Sequence, residues 1–153
     1  KELAVHRLEI ASKSLLENVL DAWQLQEAVQ ARPPVLDPDS ADVTFTSDPT
    51  LLARILHNMV KNAIEASADD ARVTLGCTQA PGGVEFWVHN AGFMPPEVQA
   101  QIFQRSFSTK GVGRGLGTYS MKLLGERYLK AKISFTSSET EGTVFKAFCP
   151  PTI

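Results

Sequence analysis

"VHNAGFMPPEV", residues 88–98, decides how this chain is read. The alternating run "VEFWV" over 84–88 stops at His89-Asn90, a glycine follows at 92, and Pro95-Pro96 end the extended stretch. Asn90 therefore closes an apolar strand beside a residue that lets another group approach the backbone. A side-chain amide covered at such a place needs a partner.

Working outward, "RVTLGCT" (72–78) and "GVEFWVHN" (83–90) have period 2 and are joined through "QAPGG", which predicts a hairpin. Asp48 is a good N-cap with Pro49 at the first helical position. The helix they open, 49–67, has a broad apolar face of Leu51, Leu52, Ile55, Leu56, Met59, Val60, Ala63 and Ile64. "DVTFTS" (42–47) reads as a strand before it. Towards the C-terminus, 118–129 reads as a helix, and "KISFTS" and "TVFKAFC" as strands joined by "SETEG". Towards the N-terminus, Leu8, Leu15, Leu16, Val19, Leu20, Trp23 and Leu25 recur at helical spacing, which predicts one helix over 4–30. The fold class expected is α+β: a two-layer sandwich of a mixed, mostly antiparallel sheet covered by helices on one face, with an N-terminal helix.

A length of 153 residues suits one domain, with residues 1–30 as an N-terminal helix and 31–153 as the main unit. A net charge of −2 argues against a nucleic-acid surface, so no nucleic-acid partner is expected. No apolar run is long enough to span a bilayer. The chain starts at Lys1 rather than Met, as a piece of a longer protein would. Cys77 and Cys149 read as reduced cysteines in strands, and the three histidines show no ligand spacing.

Three further stretches carry candidate chemistry. In "HNMVKNAIEA" (57–66), Asn58 and Asn62 are i and i+4, about 40° apart round the helix. Taken alone they are two surface asparagines; facing a cleft, their amide oxygens are hard donors of the kind Mg²⁺ takes. In "KGVGRGLGTYS" (110–120), glycines at 111, 113, 115 and 117 precede a helix, with Lys110 and Arg114 beside them. Such a loop is a flexible linker or a phosphate cradle, and the cations favour the cradle. No Lys-Ser or Lys-Thr follows, so it is not a Walker loop. In "IFQRSFSTK" (102–110), Phe103 and Phe107 anchor a loop onto the core, leaving Ser108, Thr109 and Lys110 free to act as a lid.

In this order, over residues 40 to 150, these stretches resemble the ATP-binding (Bergerat) fold shared by sensor histidine kinases, DNA gyrase and related ATPases. The best match within it is the catalytic, ATP-binding domain of a bacterial two-component histidine kinase. The resemblance implies that ATP and Mg²⁺ are bound. It places Asn62 on the metal, with Asn58 and Lys61 near the phosphates. It sets Asn90 against the adenine exocyclic amine, with Gly92, Met94 and Ala66 around the base. Phe107, Thr109 and Lys110 match the phenylalanine box and lid. Gly113, Arg114, Gly115, Leu116 and Gly117 match the second glycine box, and Thr143 closes the adenine side. Asn58, Asn62, Lys110 and Arg114 are the implied catalytic set. Where the family has aspartate at the base, this chain has Asn90. An amide oxygen still accepts the amine proton, and the amide adds an NH₂ donor.

Asn58 chooses within the family. Hydrolysing members carry a glutamate general base there, and an amide cannot take a proton. That fits a kinase whose nucleophile is an imidazole. The implied partners are a phospho-acceptor hairpin of the same homodimeric kinase and a response regulator receiver domain. His6 lacks the acidic follower and the proline spacing of an acceptor, so the acceptor is expected elsewhere. The helix 4–30 is then either the second hairpin helix with its linker or a helix packed on its own domain. The implied location is the cytoplasm, with an inner-membrane anchor elsewhere in the parent compatible with it. A second function class stays open: a degenerate nucleotide-binding or sensing module without efficient phosphotransfer.

Overall fold

A computed structural model describes residues 3–25, 33–67, 72–104 and 116–153. The elements are β1 (Leu8–Ala11), α1 (Ser12–Gln24), β2 (Val35–Leu36), β3 (Thr44–Ser47), α2 (Pro49–Ala66), β4 (Thr74–Ala80) and β5 (Gly83–Asn90). They continue with α3 (Pro96–Gln99), α4 (Leu116–Leu123), a π-helical turn (Leu124–Tyr128), β6 (Lys132–Ser138) and β7 (Gly142–Cys149). Five strands form one sheet in the order β2-β4-β5-β7-β6, parallel only at β2-β4. α1, α2 and α4 pack over it, which makes the α+β sandwich expected from the sequence.

The alternation of β5 fixes which face is covered. Val84, Phe86, Val88 and Asn90 are buried, while Glu85, Trp87 and His89 point the other way. On β7 the same face carries Thr143, Phe145, Ala147 and Cys149. Against it α2 lays its stripe of Leu51, Leu52, Ile55, Leu56, Met59, Val60 and Ala63. The core is therefore apolar along most of the sheet and turns polar at the Asn90–Thr143 end. Those two residues face each other in the β5–β7 register.

The N-terminal region departs from the helix expected over 4–30. Leu8–Ala11 instead pair antiparallel with β3, Ile10 opposite Phe45, and the helix begins only at Ser12. The reason is tertiary: the Ser12 hydroxyl accepts from Val43 N–H and donates to Ala41 C=O, both at 2.8 Å. These bonds favour strand pairing over a helical spacing that is only a weak prior. Leu15, Leu16, Val19 and Leu20 are buried in the common core. The helix expected at 118–129 starts at Leu116 and widens into the π turn, where Gly125 lies flat on Ile133. A Cβ on Gly125 would come within 2.7 Å of Ile133.

Candidate functional site

α2 is fixed from its first turn. Asp48 Oδ1 accepts the N–H groups of Thr50 (3.0 Å) and Leu51 (3.1 Å), two of the donors a helix start leaves unpaired. Its Oδ2 accepts the backbone N–H of His6 at 2.8 Å. Along the edge of the apolar stripe come Asn58, Asn62 and Ala66. Asn62 has a buried Nδ2 with no hydrogen-bond partner. Asn58 is half-buried and lines a groove of about 540 Å³ between α1 and α2, with Leu15, Asn18, Arg54 and His57. Lys61 is exposed on another flank of the helix. The His57 imidazole is held below its ordinary value of 6.5 by burial, which disfavours its charged form.

The end of α2 meets the glycine after β5. A Cβ on Gly92 would stand 2.9 Å from the Ala66 carbonyl oxygen and 2.9 Å from Asn90 Nδ2. Those approaches are too close for a side chain, so only glycine fits there. Asn90 is 2% exposed, and its Nδ2 is buried with no hydrogen-bond partner. Leaving such a donor unpaired costs about 1–3 kcal/mol. Among the described residues the only other buried, unpaired amide nitrogen is that of Asn62.

The loop carrying Gly92 and Met94 is clasped by two hydroxyls. Met94 N–H donates to Ser137 Oγ (2.9 Å), and Thr143 Oγ1–H donates to the Gly92 carbonyl (2.8 Å). The Ser137 and Thr143 hydroxyls lie 2.8 Å apart. Thr143 has spent its one proton on Gly92, so Ser137 must donate to Thr143. The register sets this row: Asn90 pairs with Thr143, and Thr143 with Ser137. Gly142 completes it. Its φ is +78°, and a Cβ there would overlap the Asn90 carbonyl.

Phe103 packs edge-on against Phe135 and Phe145, at centroid distances of 5.7 and 6.3 Å, with the Lys122 ammonium 5.0 Å from its ring centre. It anchors the chain that leaves α3. Gly117 lies in the first turn of α4, and a Cβ on it would meet nothing within 4 Å. Packing among the described residues does not require that glycine.

The structure thus gathers Ala66, Asn90, Gly92, Met94 and Thr143 at one end of the sheet, with Asn62 one turn before Ala66. Leu116 opens α4 in the backbone trace. Phe107, Thr109, Lys110, Gly113, Arg114 and Gly115 lie outside the described residues. Ser137 escaped the sequence reading; the cue was its position directly across the β6–β7 hairpin from Thr143. The cysteines stand apart from this site. Both thiols are pushed up by burial, Cys149 to about 12. Among the described residues no group of three His, Cys, Asp or Glu could hold a metal.

Comparison with known proteins agrees with this fold. The model for "Histidine kinase-, DNA gyrase B-, and HSP90-like ATPase" matches residues 47–153. The sensor protein CitS of Bacillus subtilis is 32% identical over 102 residues, covering 65% of this chain and 19% of CitS. The nucleotide-free catalytic domain of the histidine kinase ThkA superposes with a TM-score of 0.84 at 27% identity, covering 96% of this chain and 97% of that one. A structure of ThkA in complex with the response regulator protein TrrA gives 0.82 at 24% identity, covering 99% of this chain and 44% of that one. The chain spans less than a third of the length of the curated relatives it matches.

Proposed function

The chain belongs to the family of histidine kinase-, DNA gyrase B- and HSP90-like ATPases, and from that membership we infer that it is the ATP-binding catalytic domain of a sensor histidine kinase. In this reading it transfers the γ-phosphoryl of ATP to a histidine on a hairpin of the same homodimeric kinase, for relay to a response regulator. The observation that carries the reading is the buried polar end of the sheet. Asn90 holds an unpaired Nδ2 there, under a glycine loop that two hydroxyls fix in place.

Each residue then has a task. The Asn90 oxygen accepts from the adenine exocyclic amine, and Gly92 leaves the backbone open beside it. Thr143 and Ser137 hold the loop still, so the base meets a preformed surface. The residues present also fit Mg²⁺. It takes few protein ligands and completes its shell with water and phosphate oxygens, so one amide oxygen suffices where the described residues form no carboxylate cage. Asn62 would hold it through its amide oxygen. When bound, the ion neutralises phosphate charge. Lys110, Arg114 and the amides at Gly113, Gly115 and Gly117 would share that work, as phosphoryl transfer depends mainly on positioning and charge. Asn58 cannot act as a base, which disfavours hydrolysis and leaves the phosphoryl for an imidazole. We place the reaction in the cytoplasm, where the nucleotide is. Among the described residues no helix is long and apolar enough to cross a membrane.

Calorimetric titration with ATP at millimolar concentration in Mg²⁺ tests the binding step; no heat would sink it. Incubating the full-length parent with ATP and measuring acid-labile phosphate tests transfer. Binding without phosphohistidine would select a nucleotide-sensing module instead.

A further inference from the structure

We propose that Asn90 makes this site accept 6-oxopurine nucleoside triphosphates as well as ATP. The inference rests on the assignment of Asn90 to the base.

The argument starts from the two ends of a carboxamide. An aspartate at this position offers two acceptors and no donor. It can take a proton from the N6 amine of adenine or from N1–H of a 6-oxopurine, but its second oxygen then faces an acceptor, N1 or O6. Asn90 offers one acceptor and one donor. Its donor is the feature the protein leaves open: Nδ2 is buried in a residue 2% exposed, and no hydrogen bond satisfies it. An acceptor on a bound base would satisfy it.

Both purine edges supply one. With adenine, Oδ1 accepts from the N6 amine and Nδ2 donates to N1. With a 6-oxopurine the pattern inverts: Nδ2 donates to O6 and Oδ1 accepts from N1–H. A half-turn about the last side-chain torsion exchanges the two arrangements. No partner holds the Nδ2 end, so that turn breaks no bond at the nitrogen. The backbone around it is fixed, because Thr143 holds the Gly92 carbonyl and Asn90 is paired to β7. The base therefore meets a rigid wall with one reversible recognition group.

Inosine triphosphate is the probe, since it differs from ATP at this edge and adds no amino group at C2. Affinities of the 153-residue chain for ATP and inosine triphosphate, each with Mg²⁺, are measured by calorimetry and by ligand-induced shift in melting temperature. The expected result is that the two dissociation constants lie within about tenfold of each other. Asn90→Asp keeps one good contact with either base and sets its second oxygen against N1 or O6, so it should weaken both nucleotides by roughly tenfold or more. A cooperative melting transition shows that the variant is folded. If the unaltered protein binds ATP but prefers it over inosine triphosphate by much more than tenfold, the proposal is overturned and the assignment of function stands. If Asn90→Asp binds both nucleotides as tightly as the unaltered protein does, Asn90 is not the recognition group and the proposal is overturned. If neither nucleotide binds the unaltered protein, the underlying assignment fails first. Should the variant not fold, the ratio on the unaltered protein still decides.

Discussion

Replacing Thr143 by valine keeps the side chain's shape and removes its hydroxyl. Thr143 is 4% exposed, so water cannot stand in freely for the group removed. Two hydrogen bonds go with it: the one given to the Gly92 carbonyl and the one taken from Ser137, both at 2.8 Å. At about 1 kcal/mol each, rising where a partner stays buried and unpaired, the loss comes to about 2–3 kcal/mol. For a domain of this size that lowers the melting temperature by about 4–12 °C. Thr143→Ser keeps both bonds and loses only a methyl, so it should cost about 1 kcal/mol or less. Guanidinium unfolding at 25 °C compares the two variants, and calorimetry reads their ATP affinity. Valine should weaken ATP binding as well, because the loop bearing Gly92 and Met94 loses one of its two clasps; serine should not. A valine variant within about 0.5 kcal/mol of the parent, or no weaker for ATP than serine, would refute the clasp.

Three other outcomes follow from the same geometry. Asn62→Ala should abolish autophosphorylation of the full-length parent and Asn58→Ala should only reduce it; normal phosphorylation by the Asn62 variant would refute the proposed Mg²⁺ role of Asn62. Gly142→Ala brings a Cβ onto the Asn90 carbonyl at a φ of +78° and should cost about 2–4 kcal/mol, read as a lowered unfolding midpoint with unchanged slope. Burial keeps His57 neutral below its ordinary 6.5, so the unfolded chain takes a proton there before the folded one does. Stability from this group is full above that pH and falls as the pH drops towards the lower folded value. Urea midpoints at pH 7.5 and 5.5 should therefore converge in His57→Gln, and an unchanged difference would exclude His57 as the cause.

The main architecture was legible because its signals are local. The α2 stripe, the Asp48 cap and the alternation of β5 and β7 each sit within one segment. The alternation even placed Asn90: counting by twos from Val84 puts it on the covered face. What escaped depended on distant partners. Leu8–Ala11 carry helical spacing, yet pair with Phe45 and its neighbours because Ser12 is tied to Ala41 and Val43. Val35–Leu36 is too short to show periodicity and becomes a strand only against Thr74 and Leu75. Ser137 looked like any strand serine until the hairpin register set it beside Thr143. Gly142 looked like a plain turn glycine, but the nearness of Asn90 is what forbids a side chain there.

The carboxylate of Asp48 serves two neighbours, the first turn of α2 and the backbone of His6 just ahead of β1. Sharing makes it a detent. If β1 slid one residue along β3, Ile10 would rotate out of the core and the His6 N–H would leave Oδ2. Both penalties fall together, so intermediate positions have nothing to hold them. The segment entering the domain is either seated or released. Seated, it ties β1 to the start of the helix that carries Asn58 and Asn62.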